Sequence, residues 1–316
     1  MGERPAVTRE PFFVVGASRS GTTVFRLMLN SHPDIHIPPE AWFLGALATR
    51  FSPDRELTSE QVREAREIIR SNVRWSDWNC PDERLDSALA FEGPPSLAGL
   101  IDRLFRECTP AGRDRIWGEK SPRHSHIVRQ LRAIFPRARF IHLIRDGKDS
   151  CVSMFQRGWY DRSFRRVCEH WDTAVRAARE GRDFGAAHYL EIRYEDLMRS
   201  TDDVLRSVCA FLGVPFDGRM ADFTARIESD IVAGETGLHS SLRGGVQKAM
   251  IGKGRDAMTE WQRVVYRTIC GPLSKELGYG LPPLGPVGKL LMPFGAFIVG
   301  LQRQIHCLWH RMHPRD

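Results

Sequence analysis

Residues 12–23 have the sequence Phe-Phe-Val-Val-Gly-Ala-Ser-Arg-Ser-Gly-Thr-Thr, which joins an apolar run to a glycine-rich turn. The run Phe12–Val15 predicts a buried strand, and the pattern of Thr22–Asn30 predicts a helix that begins just after the turn. Backbone N–H groups of such a turn converge with the helix dipole on one point, which favours a phosphate or sulfate ligand. The alternative interpretation is an ordinary tight turn with solvent-exposed hydroxyls.

The glycines of this loop have the Gly-x4-Gly spacing of a P-loop, but Thr22 stands where a Walker A motif has lysine. ATP hydrolysis would therefore lack its usual γ-phosphate cation. Arg19 supplies positive charge inside the loop instead. The pattern predicts anion binding by a site that differs from that of a conventional ATPase.

Two further apolar runs, Phe140–Ile144 and Tyr189–Ile192, each precede a turn and a helical pattern. This repeated order of strand, turn and helix predicts an α/β fold with a parallel sheet. Residues 51–115 are rich in Trp, Pro and charge and are interpreted as a mostly helical insertion. The other predicted helices are Ser59–Ser71, Ser125–Phe135, Asp203–Leu212 and Thr259–Leu277, the last with Thr259 as N-cap and Gly278 as C-cap.

A second anion site is predicted after the strand Phe140–Ile144. Arg145 ends that strand, and Ser153 follows eight residues later in the next helix. A guanidinium offers a bidentate fork to phosphate, and a hydroxyl adds a donor. A surface turn built on Asp146-Gly147 is the alternative. Two anion sites that each follow a strand fit a ligand with 5′ and 3′ phosphates better than they fit ATP.

The stretch Arg19–Thr23, with Phe25–Leu29 and Ser31–Pro33 after it, resembles the 5′-phosphosulfate loop of sulfotransferases that use PAPS (3′-phosphoadenosine-5′-phosphosulfate). The likeness is to the branch that contains bacterial, tyrosylprotein and carbohydrate sulfotransferases. It implies a P-loop-like three-layer fold with a central parallel sheet and helical insertions. It also implies a set of cofactor-binding residues, namely Arg19, Ser20, Gly21, Thr22, Thr23, Arg145, Ser153, Tyr194, Lys253 and Arg255.

Within that set, the resemblance assigns Arg145 and Ser153 to the 3′-phosphate. Tyr194 begins a Tyr-Glu-Asp-Leu segment and is expected near the adenine. The segment Ile251–Arg255 resembles a second 3′-phosphate loop, in which either Lys253 or Arg255 meets the phosphate. Many relatives carry an aromatic residue at the position of Gly254. Ser240 and Ser241 are expected to orient the sulfuryl group.

Sulfuryl transfer to a hydroxyl needs a base, cations on the oxygens and in-line alignment. Glu40 lies 21 positions after Arg19 and resembles in this offset the catalytic Glu of the tyrosylprotein branch, so it is the predicted base. Burial beside Trp42 and Phe43 is expected to raise its pKa. An exposed Glu that opens the next helix is the alternative.

The predicted cation on the leaving oxygen is Lys120, in a Lys-x-Pro segment that resembles the family's. The resemblance gives Arg19 the 5′-phosphate.

The composition limits the partners. The 316 residues contain 46 Lys+Arg and 39 Asp+Glu, a net charge of +7 that is compatible with anionic ligands. These charges are dispersed, and no nucleic-acid partner is predicted. The seven cysteines form no C-x-x-C, and no H-E-x-x-H is present, so the sequence predicts no metal and no disulfide framework. A reducing, cytoplasmic location and a bacterial source are expected.

The predicted domain division is a catalytic domain at 1–280 and a tail at 281–316. The tail begins with the linker-like Leu281–Pro286, continues uncharged over Leu290–Gln302 and ends with basic residues. The uncharged part is too short to span a bilayer. It is expected either to contact the inner face of a membrane peripherally or to dock on a partner subunit or the protein body.

The predicted function is transfer of the sulfuryl group from PAPS to an acceptor hydroxyl, with release of PAP, the 3′,5′-bisphosphate nucleotide. Small molecules, saccharides, lipid-linked compounds and peptide tyrosines all remain open as acceptors. Two other functions also remain open. One is a P-loop nucleotide kinase or NTPase, which the missing Walker lysine disfavours. The other is a non-catalytic nucleotide-binding protein, which Glu40 and Lys120 disfavour.

Overall fold

Five strands form one parallel sheet in a computed structural model that describes residues 10–109, 115–230 and 251–300, apart from residue 298. The strands are β1 (Phe12–Val15), β2 (Ile35–His36), β3 (Ile116–Lys120), β4 (Arg139–Ile144) and β5 (Tyr189–Arg193). Their order is β2-β3-β1-β4-β5, and β1 is the central strand because Phe12 pairs with Gly118 on one side and Arg139 on the other. The predicted α/β fold with a central parallel sheet is confirmed.

Helices follow or separate all of these strands in the chain. The α-helices are α1 (Thr22–Asn30), α2 (Phe43–Arg50), α3 (Ser59–Arg70), α4 (Asp82–Leu89), α5 (Leu97–Glu107), α6 (Val128–Ile134), α7 (Gly147–Gln156), α8 (Phe164–Arg179), α9 (Tyr194–Arg199), α10 (Thr201–Leu212), α11 (Ile227–Asp230), α12 (Lys253–Asp256), α13 (Glu260–Ile269), α14 (Gly271–Glu276) and α15 (Pro286–Leu291). The 3-10 turns are Trp75–Trp78, Pro122–Ile127, Trp159–Arg162, Glu180–Phe184, Gly218–Ala221, Phe223–Arg226 and Met292–Phe294. The predicted helical character of the insertion over residues 51–115 is confirmed by α3, α4 and α5.

The structure differs from the local predictions in three places. The strands β2 and β3 carry no apolar run of the expected kind and were not predicted. The helix expected over Ser125–Phe135 starts as a 3-10 turn and becomes α-helical only at Val128. The helix expected over Thr259–Leu277 consists of α13 and α14, although Thr259 does form the N-terminal capping box and Gly278 does adopt a positive φ of 74° after the second helix.

The described residues divide into two compact units. The first contains residues 10–16, 21–144 and 177–230, and the second contains residues 17–20, 145–176 and 251–300. Stacked aromatic rings form part of the first core, with Phe105 and Trp117 at 4.1 Å between ring centroids. The second core includes Trp171 and Tyr266. The predicted division at residue 280 stays a prediction.

Candidate active site

Two glycines hold the ends of the loop after β1 within the first unit. A Cβ at Gly16 would lie 2.4 Å from the carbonyl oxygen of Leu143. The N–H of Gly16 donates to Ser125 Oγ at 3.0 Å. Gly21 has a φ of 91°, and a Cβ there would lie 2.4 Å from the ring of Tyr194. Side chains are therefore excluded at both positions. Tyr194, the predicted adenine contact, is buried against Gly21.

The helix α1 begins at Thr22, directly after Gly21, as predicted. Its Ncap is that glycine, no side chain of the described residues caps it, and its first turn contains no acidic residue. Thr22 is buried and Thr23 is half-buried. The first turn of α1 thus supplies no acidic side chain to the positive end of the helix dipole, which favours an anionic ligand.

Three predicted anion-binding residues meet in the second unit. Arg19 has a positive φ of 67°, which is uncommon for a residue other than glycine, and its Nε donates to Ser153 Oγ at 3.1 Å. A terminal nitrogen of Arg145 donates to the carbonyl oxygen of Arg19 at 3.3 Å. Two guanidinium groups and one hydroxyl are therefore gathered in one place, a combination suited to phosphate.

Two serines of the second unit have buried hydroxyls that form no hydrogen bond with any described residue. They are Ser20 in the loop and Ser150 in α7. Other buried polar atoms of the described residues also have no partner, but these two hydroxyls lie next to Arg19 in the loop and on the helix of Ser153, where an anionic ligand would complete them. Ser150 was not predicted. Its spacing of three residues from Ser153 on one helix was the signal that could have identified it.

The segment Gly252–Gly254 is fixed to α7 by Asp149. The Oδ2 and Oδ1 atoms of Asp149 accept the N–H groups of Gly252 and Gly254 at 2.8 Å and 2.7 Å. A Cβ at Gly254 would lie 2.2 Å from the carbonyl oxygen of Lys148, so this close approach requires glycine. The predicted second 3′-phosphate loop, with Lys253 exposed on it, is thus tied to the helix that bears Ser153.

Three predicted site groups lie outside what the structure describes. Ser240 and Ser241 fall between residues 230 and 251, and the side chain of Arg255 is not described. Their roles stay predictions.

The predicted base and the predicted leaving-group cation are in direct contact in the first unit. Lys120 Nζ forms an ion pair with Glu40 Oε1, and the two side chains are 1% and 13% exposed. Trp42 Nε1 donates to Glu40 Oε2 at 2.6 Å. Arg123 stacks on the Trp42 ring at 4.0 Å from its centroid, which holds the indole in place. Both carboxylate oxygens of Glu40 are therefore fixed.

The expected rise in the pKa of Glu40 is wrong. Burial alone does raise the pKa of Glu40, but the charge and hydrogen bond of Lys120, the hydrogen bond of Trp42 and the charge of Arg74 together outweigh it. The pKa of Glu40 is therefore lowered below its ordinary value. Glu40 is ionised at neutral pH, in the protonation state that a base needs.

A buried carboxylate that was not predicted supports this pair. Glu119, the neighbour of Lys120 on β3, accepts the N–H of Ala41 at 3.1 Å through Oε1 and contacts His124 Nδ1 at 2.5 Å through Oε2. It thereby joins the residue after Glu40 to the turn after Lys120. Both Glu119 and His124 are about 1% exposed. No sequence pattern marks Glu119 except its position beside Lys120.

The approach to Glu40 is also fixed, by helix α1. Asn30 exchanges two hydrogen bonds with the backbone of Ile37, at 3.0 Å and 2.7 Å. The buried guanidinium of Arg26 donates to the carbonyl oxygens of Pro38 and Asp230, at 3.4 Å and 2.7 Å. The segment that leads into Glu40 is therefore held by side chains of the helix that follows the loop.

One group of residues in the described part has the composition of a soft-metal site. Cys151, Cys168 and Cys270 are fully buried in the second unit, and their Sγ atoms lie within 4.8 Å of one another. The wide sequence separation of these cysteines hid this cluster. Burial raises the pKa of the Cys168 and Cys270 thiols. Burial also opposes ionisation of Cys151, but hydrogen bonds with the other two thiols lower the pKa of Cys151 to about 6.

Sequence comparison identifies the family. The profile of a family described as the sulfotransferase family matches residues 11–218, more than half of the chain. The chain belongs to the sulfotransferase family. Its relatives in the family include protein-tyrosine sulfotransferase 1 of Danio rerio, 30% identical over 212 residues that are 65% of this chain and 53% of that protein. The protein-tyrosine sulfotransferase of Drosophila melanogaster is 26% identical over 65% of this chain and 38% of that protein. This chain spans about half the length of such relatives or less.

Solved structures confirm the sulfotransferase fold. The sulfotransferase domain of the Synechococcus PCC 7002 olefin synthase has a TM-score of 0.62 and 22% identity, over 89% of this chain and 99% of that one. The sulfotransferase domain from the curacin biosynthetic pathway has a TM-score of 0.59 and 19% identity, over 86% and 99%. At these identities the likeness concerns the fold alone.

Proposed function

We propose that this chain transfers the sulfuryl group of PAPS to an acceptor hydroxyl and releases PAP. Membership of the sulfotransferase family supports the reaction class. The observation that carries the proposal is the direct ion pair of Glu40 and Lys120. These residues are 80 positions apart in the chain, and the family resemblance gives them the roles of base and of cation on the leaving oxygen.

In the proposed reaction, Glu40 takes the proton of the acceptor hydroxyl while the acceptor oxygen forms its bond to sulfur. At the same time the bond breaks between sulfur and the oxygen that links it to the 5′-phosphate. Lys120 stabilises the negative charge that develops on this leaving oxygen. The lowered pKa of Glu40 keeps it ionised for this step. Trp42 orients the carboxylate, and Glu119 fixes the backbone around both residues.

The proposed nucleotide contacts are made by cationic side chains and by hydroxyl groups. Arg19, Ser20 and the N-terminus of α1 with Thr22 and Thr23 bind the 5′-phosphosulfate. Arg145, Ser153 and Lys253 bind the 3′-phosphate. The buried hydroxyls of Ser20 and Ser150, which have no partner among the described residues, support the fit of an anionic ligand. Tyr194 contacts the adenine.

The proposed acceptor is a hydroxyl compound. The names of the relatives support a tyrosine phenol as the first acceptor to test. Small molecules, saccharides and lipid-linked compounds follow. The charges on Lys120 and the arginines supply the electrostatic stabilisation, so we expect turnover to survive EDTA. The cytoplasmic location stays a prediction.

The test is PAP formation from PAPS by the full chain, measured by chromatography with a phenol, a tyrosine peptide, a monosaccharide and a lipid-linked saccharide in turn. We expect PAP to form together with one sulfated acceptor. Glu40→Gln should abolish the formation of PAP and of the sulfated acceptor. Glu64→Gln, a matched change at an exposed ion pair, should leave both unchanged. Hydrolysis of ATP or phosphorylation of an acceptor, with no PAP formed, would contradict the proposal.

A further inference from the structure

The segment 287–297 presents large apolar side chains to solvent. Val287, Leu290, Phe294 and Phe297 are 59%, 71%, 59% and 72% exposed, and we call them the apolar face. Among the described residues only three other large apolar side chains are exposed, Val73, Trp159 and Trp261. Spacings of three, four and three residues along a helical stretch put the four residues of the apolar face on one side.

The opposite side of this stretch is docked within the second unit. Val299 is buried in the core of that unit. A Cβ at Gly288 would lie 2.3 Å from a carboxylate oxygen of Glu260, and one at Gly295 would lie 2.3 Å from Thr268 Oγ1. The stretch therefore lies on α13 through small residues and turns its bulky ones outward. A surface helix ordinarily has the reverse arrangement, with the apolar side facing the protein.

The charge of the surrounding sequence indicates what covers the apolar face. No Asp or Glu occurs between Glu276 and Asp316, whereas Lys289, Arg303, Arg311 and Arg315 are cationic. An apolar helical surface in a segment of purely positive charge complements the headgroups and acyl boundary of an anionic bilayer. None of the helices in the described residues has the length and apolarity of a membrane span, so contact would be at the surface.

We propose that the apolar face docks on an anionic lipid surface, with Leu290, Phe294 and Phe297 inserted at the acyl boundary. The proposal is independent of the sulfuryl-transfer assignment, because none of these residues belongs to the proposed catalytic or binding groups.

The test is co-sedimentation of the full chain with phosphatidylcholine vesicles, with and without about one third phosphatidylglycerol. We expect the protein to sediment with the anionic vesicles and to be released by high salt. The double variant Leu290→Ser with Phe294→Ser should lose this binding by about tenfold or more. Val73→Ser, at a side chain that is 74% exposed in the first unit, should not change it.

Thermal unfolding of both variants guards against misfolding, and Phe294→Leu, which keeps an apolar side chain, should bind the anionic vesicles as the wild type does. Light scattering without vesicles tests a second copy of the chain as the occupant. The proposal would be overturned if the wild type and the double variant sedimented equally, or if the wild type bound neutral vesicles as well as anionic ones. It would also be overturned if the wild type bound no vesicles and formed a dimer that the double substitution disrupts.

Discussion

The carboxylate of Glu40 in the first unit and the hydroxyls of Ser20 and Ser150 in the second unit meet opposite hydrogen-bonding conditions. In the first unit, both carboxylate oxygens of Glu40 have partners, Lys120 and Trp42, and Glu119 fixes the backbone beside them. In the second unit, the hydroxyls of Ser20 and Ser150 are buried without a partner among the described residues. A satisfied cluster is preorganised for chemistry, and an unsatisfied one is completed by binding. Changes in the first should therefore alter turnover, and changes in the second should alter affinity.

The largest expected effect tests the first half of this comparison. Glu40→Gln should lower the rate of PAP formation by about 10²- to 10⁴-fold, because it removes the proton acceptor. The affinity for PAP, measured by calorimetry, should remain within about twofold, because Glu40 is not among the proposed nucleotide contacts and Gln keeps the size of the side chain and one acceptor oxygen. Glu64→Gln is the matched control. A parallel loss of PAP affinity would mean that Glu40 serves nucleotide binding and would break the comparison.

The pH response of Glu40 tests the same cluster more closely. The lowered pKa keeps the carboxylate ionised down to pH values below its ordinary range, so the protonated form appears only as the pH falls through the lowered value. In Lys120→Met the burial that raises this pKa remains and the main opposing charge is lost. The pKa of Glu40 should then rise above that of the wild type.

The carboxyl carbon shift of Glu40, assigned by its loss in Glu40→Gln, reports this pKa by NMR. Lys120→Arg keeps the charge and should leave the pKa close to that of the wild type. A pKa in Lys120→Met that stays as low as in the wild type would assign the effect to Trp42 and Arg74 instead.

The second unit should respond in affinity. Arg145→Ala removes a guanidinium that also holds the backbone of Arg19, and it should weaken PAP binding by about 10- to 100-fold in calorimetry. Arg166→Ala, at a more exposed ion pair of the same unit, is the control and should change little. Unchanged PAP affinity in Arg145→Ala would remove the assigned 3′-phosphate site.

The smallest effect separates ligand binding from stability. Ser150→Ala deletes a buried hydroxyl that has no partner among the described residues, so the ligand-free protein should unfold at the same temperature or higher. PAP affinity should fall by about three- to tenfold, the value of one neutral hydrogen bond. Ser207→Ala, at an exposed hydroxyl, is the control. A drop in melting temperature without a change in PAP affinity would make Ser150 a structural residue.

Local sequence was enough for the part of the fold that local apolar runs determine. Three strands were predicted with bounds that lie within one residue of the observed ones. They are the strands that Gly16, Arg145 and Tyr194 follow. The strand Ile116–Lys120 was missed because Gly118, Glu119 and Lys120 interrupt its apolar character, although all five residues are buried. Its buried charges are acceptable only because partners such as Glu40 come from distant positions.

The roles of the predicted site residues stay predictions, and their electrostatics could be foreseen only in part. Glu40 and Lys120 were identified one by one, but their contact joins positions 80 apart, so the lowered pKa of Glu40 could not be foreseen. The tie between Asp149 and Gly254 spans 105 positions. Glycine is required at residue 254, since the backbone of Lys148 leaves no room for a Cβ.

The most direct test of the central claim is calorimetric titration of the full chain with PAP and, separately, with ATP. The wild type should bind PAP more tightly than ATP by about tenfold or more, because Arg145 and Ser153 recognise a 3′-phosphate that ATP lacks. Arg145→Ala should lose most of that preference. ATP binding as tight as PAP binding, or tighter, would contradict the assignment of this chain as a PAPS-dependent sulfotransferase.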